Sequence, residues 1–159
     1  MSYPQPTKPV RKHLDHTTHF AGRFGAIYFV TICCDRRGVN QLCREPIASA
    51  IFESARRYHT TRRWYLSLLL LMPDHLHMLV GIEGEDFLSN IIRDFKRATA
   101  RFAGVNWQRN FFDHRLRHDE SLREKEDYIR ENPIRAGLIA RGEKWRFVLA
   151  LEDLEGRGD

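Results

Sequence analysis

Leu71-Met72-Pro73-Asp74-His75-Leu76-His77-Met78-Leu79-Val80-Gly81 is an apolar run, broken by a Pro-Asp pair, in which two histidines then flank one hydrophobic residue. Strand side chains alternate between faces, so His75 and His77 share one face while Leu76, Met78 and Val80 turn to the opposite, core-facing layer. Two imidazoles side by side make a natural platform for a divalent metal, because neutral ring nitrogens are common metal ligands. Taken alone, the pair also fits two half-exposed histidines on a polar sheet face, the more ordinary reading. The rest of the chain has to decide between these readings.

Working outward, Trp64 to Leu71 reads as an apolar strand, and the short Met72-Pro73-Asp74 connection predicts that it pairs antiparallel with the histidine strand. Upstream, Ala26 to Cys34 (AIYFVTICC) is β-branched and aromatic, as expected of a buried central strand, and Asp35-Arg36-Arg37-Gly38 ends it. Pro46 suits the first turn of a helix, and Ile47, Ala48, Ile51, Phe52 and Ala55 carry helical spacing to about His59. Downstream, Glu85-Asp86 opens a second helix with the apolar stripe Leu88, Ile91, Ile92, Phe95, Ala98 and Phe102. A short fourth strand is expected around Asn110-Phe111-Phe112, followed by a basic loop with His114, Arg115, Arg117 and His118. The order strand, helix, strand, strand, helix, strand predicts an α+β, ferredoxin-like βαββαβ sheet with two helices on one face.

At 159 residues the chain has the length of one domain with a real core. The expected organisation is a basic, partly irregular arm over 1–23, a single domain over 24–150 and a C-terminal tail over 151–159. No apolar run reaches the roughly 20 residues of a membrane span, and no signal peptide is visible, so a cytoplasmic location is expected. Cys33, Cys34 and Cys43 show no CxxC spacing, which supports neither a disulfide framework nor a zinc knuckle. A net charge of +5 favours polyanionic partners, nucleic acid first. The second helix sharpens this, since Arg93, Lys96, Arg97 and Arg101 stand against the single acid Asp94.

A third helix is expected from Asp119-Glu120-Ser121 to about Asn132, where Pro133 disfavours helical geometry in the preceding residue. Leu122, Lys125 and Ile129 would form its buried side. Tyr128 and Asn132 are four apart and would lie on one face of it. If that face meets the His75–His77 strand, a metal would have two imidazoles and an amide oxygen as ligands, with a phenol beside them. A phenol is a poor nucleophile at neutral pH, and attack on a phosphodiester needs its charge neutralised, which Mg²⁺ or Mn²⁺ would do. An amphipathic helix residue and a helix cap are the ordinary roles for Tyr128 and Asn132.

Pro73-Asp74-His75-Leu76-His77 resembles the histidine–hydrophobic–histidine (HUH) motif of the single-tyrosine transposases of the IS200-like group. Tyr128-Ile129-Arg130-Glu131-Asn132-Pro133-Ile134-Arg135-Ala136-Gly137-Leu138 resembles the tyrosine segment of their REP-associated branch. Phe29-Val30-Thr31 with Arg36-Arg37, Arg93-Asp94-Phe95-Lys96, and Phe112-Asp113-His114 with Arg117 are similar to residues of that branch, in the same order. The resemblance implies an HUH domain with a C-terminal helix carrying the tyrosine. It further implies cleavage and strand transfer of single-stranded DNA beside palindromic hairpins through a 5′-phosphotyrosine intermediate, in a cytoplasmic, nucleoid-associated bacterial protein.

Carried over residue by residue, the resemblance makes His75 and His77 metal ligands, Tyr128 the nucleophile and Asn132 a third ligand to Mg²⁺ or Mn²⁺. It makes Lys12, Arg36, Arg37, Arg93, Lys96, Arg97, Arg101, Arg115 and Arg117 candidate DNA contacts. Phe20, Phe24 and Trp107 are candidates for stacking on unpaired bases, against the more ordinary role of core packing. Asp74 departs from the more familiar Asn and adds a carboxylate beside the metal position. Monomer and homodimer both stay open. So do two rival functions, a non-catalytic single-stranded nucleic-acid-binding module and a metal phosphodiesterase that activates water.

Overall fold

The computed structural model describes residues 25–83, 87–117 and 120–156. The chain runs β1 (Ala26–Cys33), α1 (Ile47–Thr60), β2 (Tyr65–Met72), β3 (His75–Ile82), α2 (Leu88–Ala103) and β4 (Phe112–Arg115). It continues with α3 (Leu122–Arg130), α4 (Asn132–Arg135), β5 (Val148–Ala150) and α5 (Leu151–Glu155). The strands form one antiparallel sheet in the order β4-β1-β3-β2-β5. The first four strands follow the expected ferredoxin-like pattern, and β5 extends the sheet beyond β2. The arm at 1–23, Phe24, the Glu85-Asp86 helix entry, and His118 and Asp119 lie outside the described residues.

Alternation sorts each strand between two apolar layers. Val30, Ile32, Leu66, Leu69, Leu71, Leu76, Met78 and Val80 pack with Ala48, Ile51 and Ala55 of α1 and Ile91, Ile92 and Phe95 of α2. On the other face Leu68, Leu70, Met72 and Leu79 pack with Leu116, Ala150 and Ile129 of α3. Because both faces are covered, β2 reads as a nearly unbroken apolar run (YLSLLLLM) rather than an alternating one. A register shift between Leu66 and Leu68 absorbs Ser67, so that Leu66 and Leu68 serve opposite layers. Each leucine fully buried in this way contributes about 1.5–3 kcal/mol.

Two expectations need correction. The predicted basic loop after Phe112 is in part strand, since β4 takes in His114 and Arg115 and pairs with β1 from Thr31↔Phe112 to Tyr28↔Arg115. The third helix does not run to Asn132. It ends at Arg130, Glu131 joins it to α4, and Asn132 begins that new short helix with Pro133 in its first turn. A proline is tolerated there because the first turn has no use for its missing N–H. Glu131 keeps helical dihedrals (φ −79°, ψ −11°), so the chain continues into α4 instead of stopping.

Candidate active site

Register places His75 opposite Cys33, and His77 between Thr31 of β1 and Leu70 of β2. Both histidines therefore lie on the sheet face covered by α3, away from α1 and α2, as the sequence pattern predicts. Their ring centroids are 4.8 Å apart. His75 Nδ1 lies 2.7 Å from Asp74 Oδ1, and His77 Nδ1 lies 2.8 Å from Thr31 Oγ1. With each Nδ1 engaged, Nε2 is the nitrogen that each ring offers to a ligand, which is the usual arrangement of a metal-binding histidine and its outer partner. Burial pushes the His77 imidazole down to about 3, and the nearby charges of His75, Arg135 and Arg37 act in the same direction. His77 is thus neutral at pH 7, the form that binds metal.

Asp74 is locked in place. Its Oδ2 accepts from the Gly38 N–H at 2.8 Å and faces Arg37 Nε at 3.3 Å. Burial opposes its ionisation, but the Gly38 N–H, His75 and Arg37 outweigh it and hold the carboxyl below its usual range. The β1–α1 loop therefore fixes the Asp74 carboxylate, and that carboxylate orients His75. Burial pushes the neighbouring Cys34 thiol up to about 12 and raises that of Cys33 as well, which keeps both thiols protonated.

Tyr128 reaches the same face from α3. Ser121 caps this helix through Oγ, which accepts from the Glu124 N–H at 3.3 Å, and Ile129 is its one buried residue. Glu120 ties its start to β4, accepting from the Arg117 N–H at 3.0 Å and lying 2.9 Å from His114 Nε2. Lys125, expected on the buried side, is only partly covered and pairs with Glu120 at 3.4 Å. Tyr128 itself is 56% exposed. Phe29 bridges it to the histidines, with ring centroids 5.4 Å from His77 and 6.5 Å from Tyr128.

Arg135 was not singled out by sequence, yet it organises this corner. One of its nitrogens donates to the Tyr128 carbonyl at 2.7 Å and to Asn132 Oδ1 at 3.0 Å. Its guanidinium carbon lies 4.3 Å from the Tyr128 ring centroid. Asn132 Oδ1 is thus turned towards Arg135, while its Nδ2 is buried with no partner. An unsatisfied buried donor of this kind costs about 1–3 kcal/mol until an acceptor reaches it. Among the described residues no third His, Cys, Asp or Glu joins the histidines in a metal-ligating group.

The candidate DNA contacts divide by location. Arg37 adjoins Asp74, and Arg36 is exposed in the same loop. Arg93, Arg97 and Arg101 are exposed on α2, which belongs to the layer on the other side of the sheet. There Arg93 pairs with Asp94 at 3.3 Å, and Arg101 lies over Phe102 at 5.6 Å. Lys96 spends its ammonium on the Gln108 and Arg109 carbonyls, at 2.6 and 2.8 Å, which pins that loop. Arg115 pairs in register with Tyr28 and so faces the α1–α2 layer, whereas Arg117 is exposed beyond β4. Trp107 packs against the core and donates to Thr99 Oγ1 at 2.8 Å. Lys12 and Phe20, like Phe24, fall outside the described residues.

A ferredoxin-like sheet that carries two adjacent histidines and a tyrosine-bearing helix on one face defines a class of small α+β proteins. Residues 24–132 match the family described as "Transposase IS200 like", and the chain belongs to that family. It is 28% identical over 89 residues to a REP-associated tyrosine transposase of Escherichia coli, covering 54% of this chain and 54% of that protein. The chain thus spans about half the length of that relative. It is 26% identical over 144 residues to a putative REP-associated tyrosine transposase of Haemophilus influenzae, covering 77% and 78% of the two chains. A solved REP-associated tyrosine transposase bound to a REP hairpin superposes with a TM-score of 0.64 at 24% identity, over 77% of this chain and 75% of that one. That likeness establishes the fold. No helix among the described residues is long and apolar enough to cross a membrane.

Proposed function

We propose that this chain is a metal-dependent endonuclease and strand transferase that acts on single-stranded DNA beside palindromic hairpins, with Tyr128 as its nucleophile. The observation that carries the reading is the linkage across one sheet face of His75, His77, Phe29 and the exposed Tyr128, with Arg135 seated on the tyrosine ring. His75 and His77 would hold Mg²⁺ or Mn²⁺, with Asn132 as the third protein ligand. Such an ion, when bound, supplies positive charge against the scissile phosphate.

The chain's own residues do the rest. The Tyr128 phenol oxygen attacks phosphorus and gives up its proton, the bond from phosphorus to the 3′ oxygen breaks, and the departing strand end takes up a proton as a 3′-hydroxyl. The 5′ phosphate stays on the tyrosine as a phosphodiester, so the bond energy is kept for rejoining a strand. Arg135 holds the helix backbone and the ring together and limits the orientations the nucleophile can take. Arg37 brings positive charge to the phosphate path, whereas the α2 cations would meet DNA only beyond the site, through its backbone. In this reading the protein is cytoplasmic and nucleoid-associated, works as a monomer or homodimer, and uses residues 1–23, Lys12 among them, as a DNA-contacting arm.

The test uses end-labelled single strands carrying palindromic repeats from the encoding genome, incubated with the full chain and Mn²⁺ or Mg²⁺ and resolved on a denaturing gel. A protein–DNA band that needs metal and vanishes in Tyr128→Phe and His75→Ala is the expected result. Cleavage that persists in Tyr128→Phe without such a band would replace this reading with water-activated hydrolysis. Binding without cleavage would replace it with a non-catalytic module.

A further inference from the structure

Phe112 stands on edge strand β4, directly opposite Thr31, which in turn stands opposite His77 on its other side. Residues paired in register share a sheet face, so Phe112, Thr31 and His77 form one row on the candidate active face. Adjacent strands lie about 4.8 Å apart, which puts Phe112 roughly 10 Å from His77. Phe112 is 53% exposed, whereas its neighbour Phe111 packs into the core. A bare aromatic on an edge strand is a liability that proteins ordinarily blunt with charge or cover. Here it lies beside an aromatic row of Phe29, His77 and Tyr128, and Arg37 and Arg135 border the histidines and the tyrosine. Aromatic faces flanked by cations are the common composition of single-strand binding surfaces. Among the described residues, the other large exposed phenylalanines, Phe87 and Phe102, adjoin or belong to α2, in the opposite layer.

We propose that Phe112 is a stacking platform for an unpaired nucleobase of the substrate strand, close to the phosphate that meets His75 and His77. This rests on the single-strand reading of the site and adds a subsite to it. A span of about 10 Å corresponds to roughly one to three nucleotides, depending on how far the strand is stretched beyond its 3.4 Å duplex rise. The subsite reads no hydrogen-bonding edge, so it selects for an unpaired, flat base rather than for one base identity. It thereby favours a single strand over a duplex at the cleavage position.

The test places 2-aminopurine, one position at a time, in the single-stranded segment that adjoins the foot of the hairpin, and titrates full-length protein in EDTA. Wild type is expected to quench the probe at one or two neighbouring positions. Phe112→Ala should lose that quenching and weaken binding by about 5- to 150-fold, the equivalent of one lost base–aromatic stack. Phe112→Trp should retain both. Phe112→Leu, which keeps an apolar strand residue, should behave like Phe112→Ala if stacking is responsible, and its circular dichroism controls for folding. Quenching and affinity unchanged in Phe112→Ala, or no quenched position in wild type, would overturn the proposal. Metal-dependent adduct formation is scored in parallel on the same oligonucleotides. Quenching lost in Phe112→Ala while wild type forms no adduct would uphold the stacking subsite and overturn the nuclease reading alone.

Discussion

Acidification of the metal-free protein is the perturbation that most directly probes the half-buried His77. His77 falls to about 3 in the folded chain, through burial first and then the charges of His75, Arg135 and Arg37. In the unfolded chain a histidine titrates near 6.5. Between these values the unfolded state holds one more proton, so stability falls as pH falls. The contribution is fully present above about pH 6.5 and is progressively lost down to about pH 3, at about 1.4 kcal/mol per pH unit. From pH 6 to pH 4 the His77 share is roughly 2.5 kcal/mol. Asp74 and Glu120, both held below the usual carboxyl range, add acid sensitivity of their own. The assay is therefore urea denaturation of wild type and His77→Gln across this window in EDTA. Wild type should lose about 2.5 kcal/mol more than the variant. Equal losses would refute a neutral His77 in the folded chain.

Two further substitutions separate the supporting residues from the ligands. Asp74→Ala should weaken Mn²⁺ binding by about 10- to 100-fold in isothermal titration, because His75 loses its oriented partner. Asp74→Asn, which keeps an acceptor for the ring N–H, should lose less, and unchanged affinity in Asp74→Ala would remove Asp74 from the site. Arg135→Ala should slow single-turnover adduct formation by about 10- to 100-fold while single-strand affinity stays nearly constant. A loss confined to affinity would make Arg135 a phosphate contact instead of the residue that positions Tyr128.

The sheet and its histidine face were legible in the sequence because polar and apolar residues alternate from His75 to Met78 and the flanking apolar runs are long. Pairing of β2 with β3 followed from the short Pro73-Asp74 connection, and burial on both faces explains why β2 shows no alternation at all. What escaped the sequence was short or non-local. β5 has three residues, too few for a period to emerge. The break at Glu131 and the restart of the helix at Asn132 depend on Pro133 being accepted in a new first turn, which local propensity does not distinguish from a helix end. The roles of Asp74 and Arg135 rest on partners as distant as Gly38 and Tyr128. Lys96 shows the converse, because a cation that reads as a phosphate contact is consumed by two carbonyls of the following loop. Phe112 carried a signal that was readable in part, since a short strand was expected there, but only the register with Thr31 reveals which face it serves.

The central claim is that the phenol of Tyr128 becomes covalently joined to a 5′ phosphate. Wild-type protein incubated with Mn²⁺ and a cleavable repeat oligonucleotide, then digested with nuclease and trypsin, can be examined directly by mass spectrometry. The account predicts that the peptide Glu126–Arg130, bounded by Lys125 and Arg130, gains the mass of a residual 5′-linked nucleotide, with fragmentation placing it on Tyr128. Cleaved DNA bearing a free 5′ phosphate, together with an unmodified Glu126–Arg130 peptide, would contradict it.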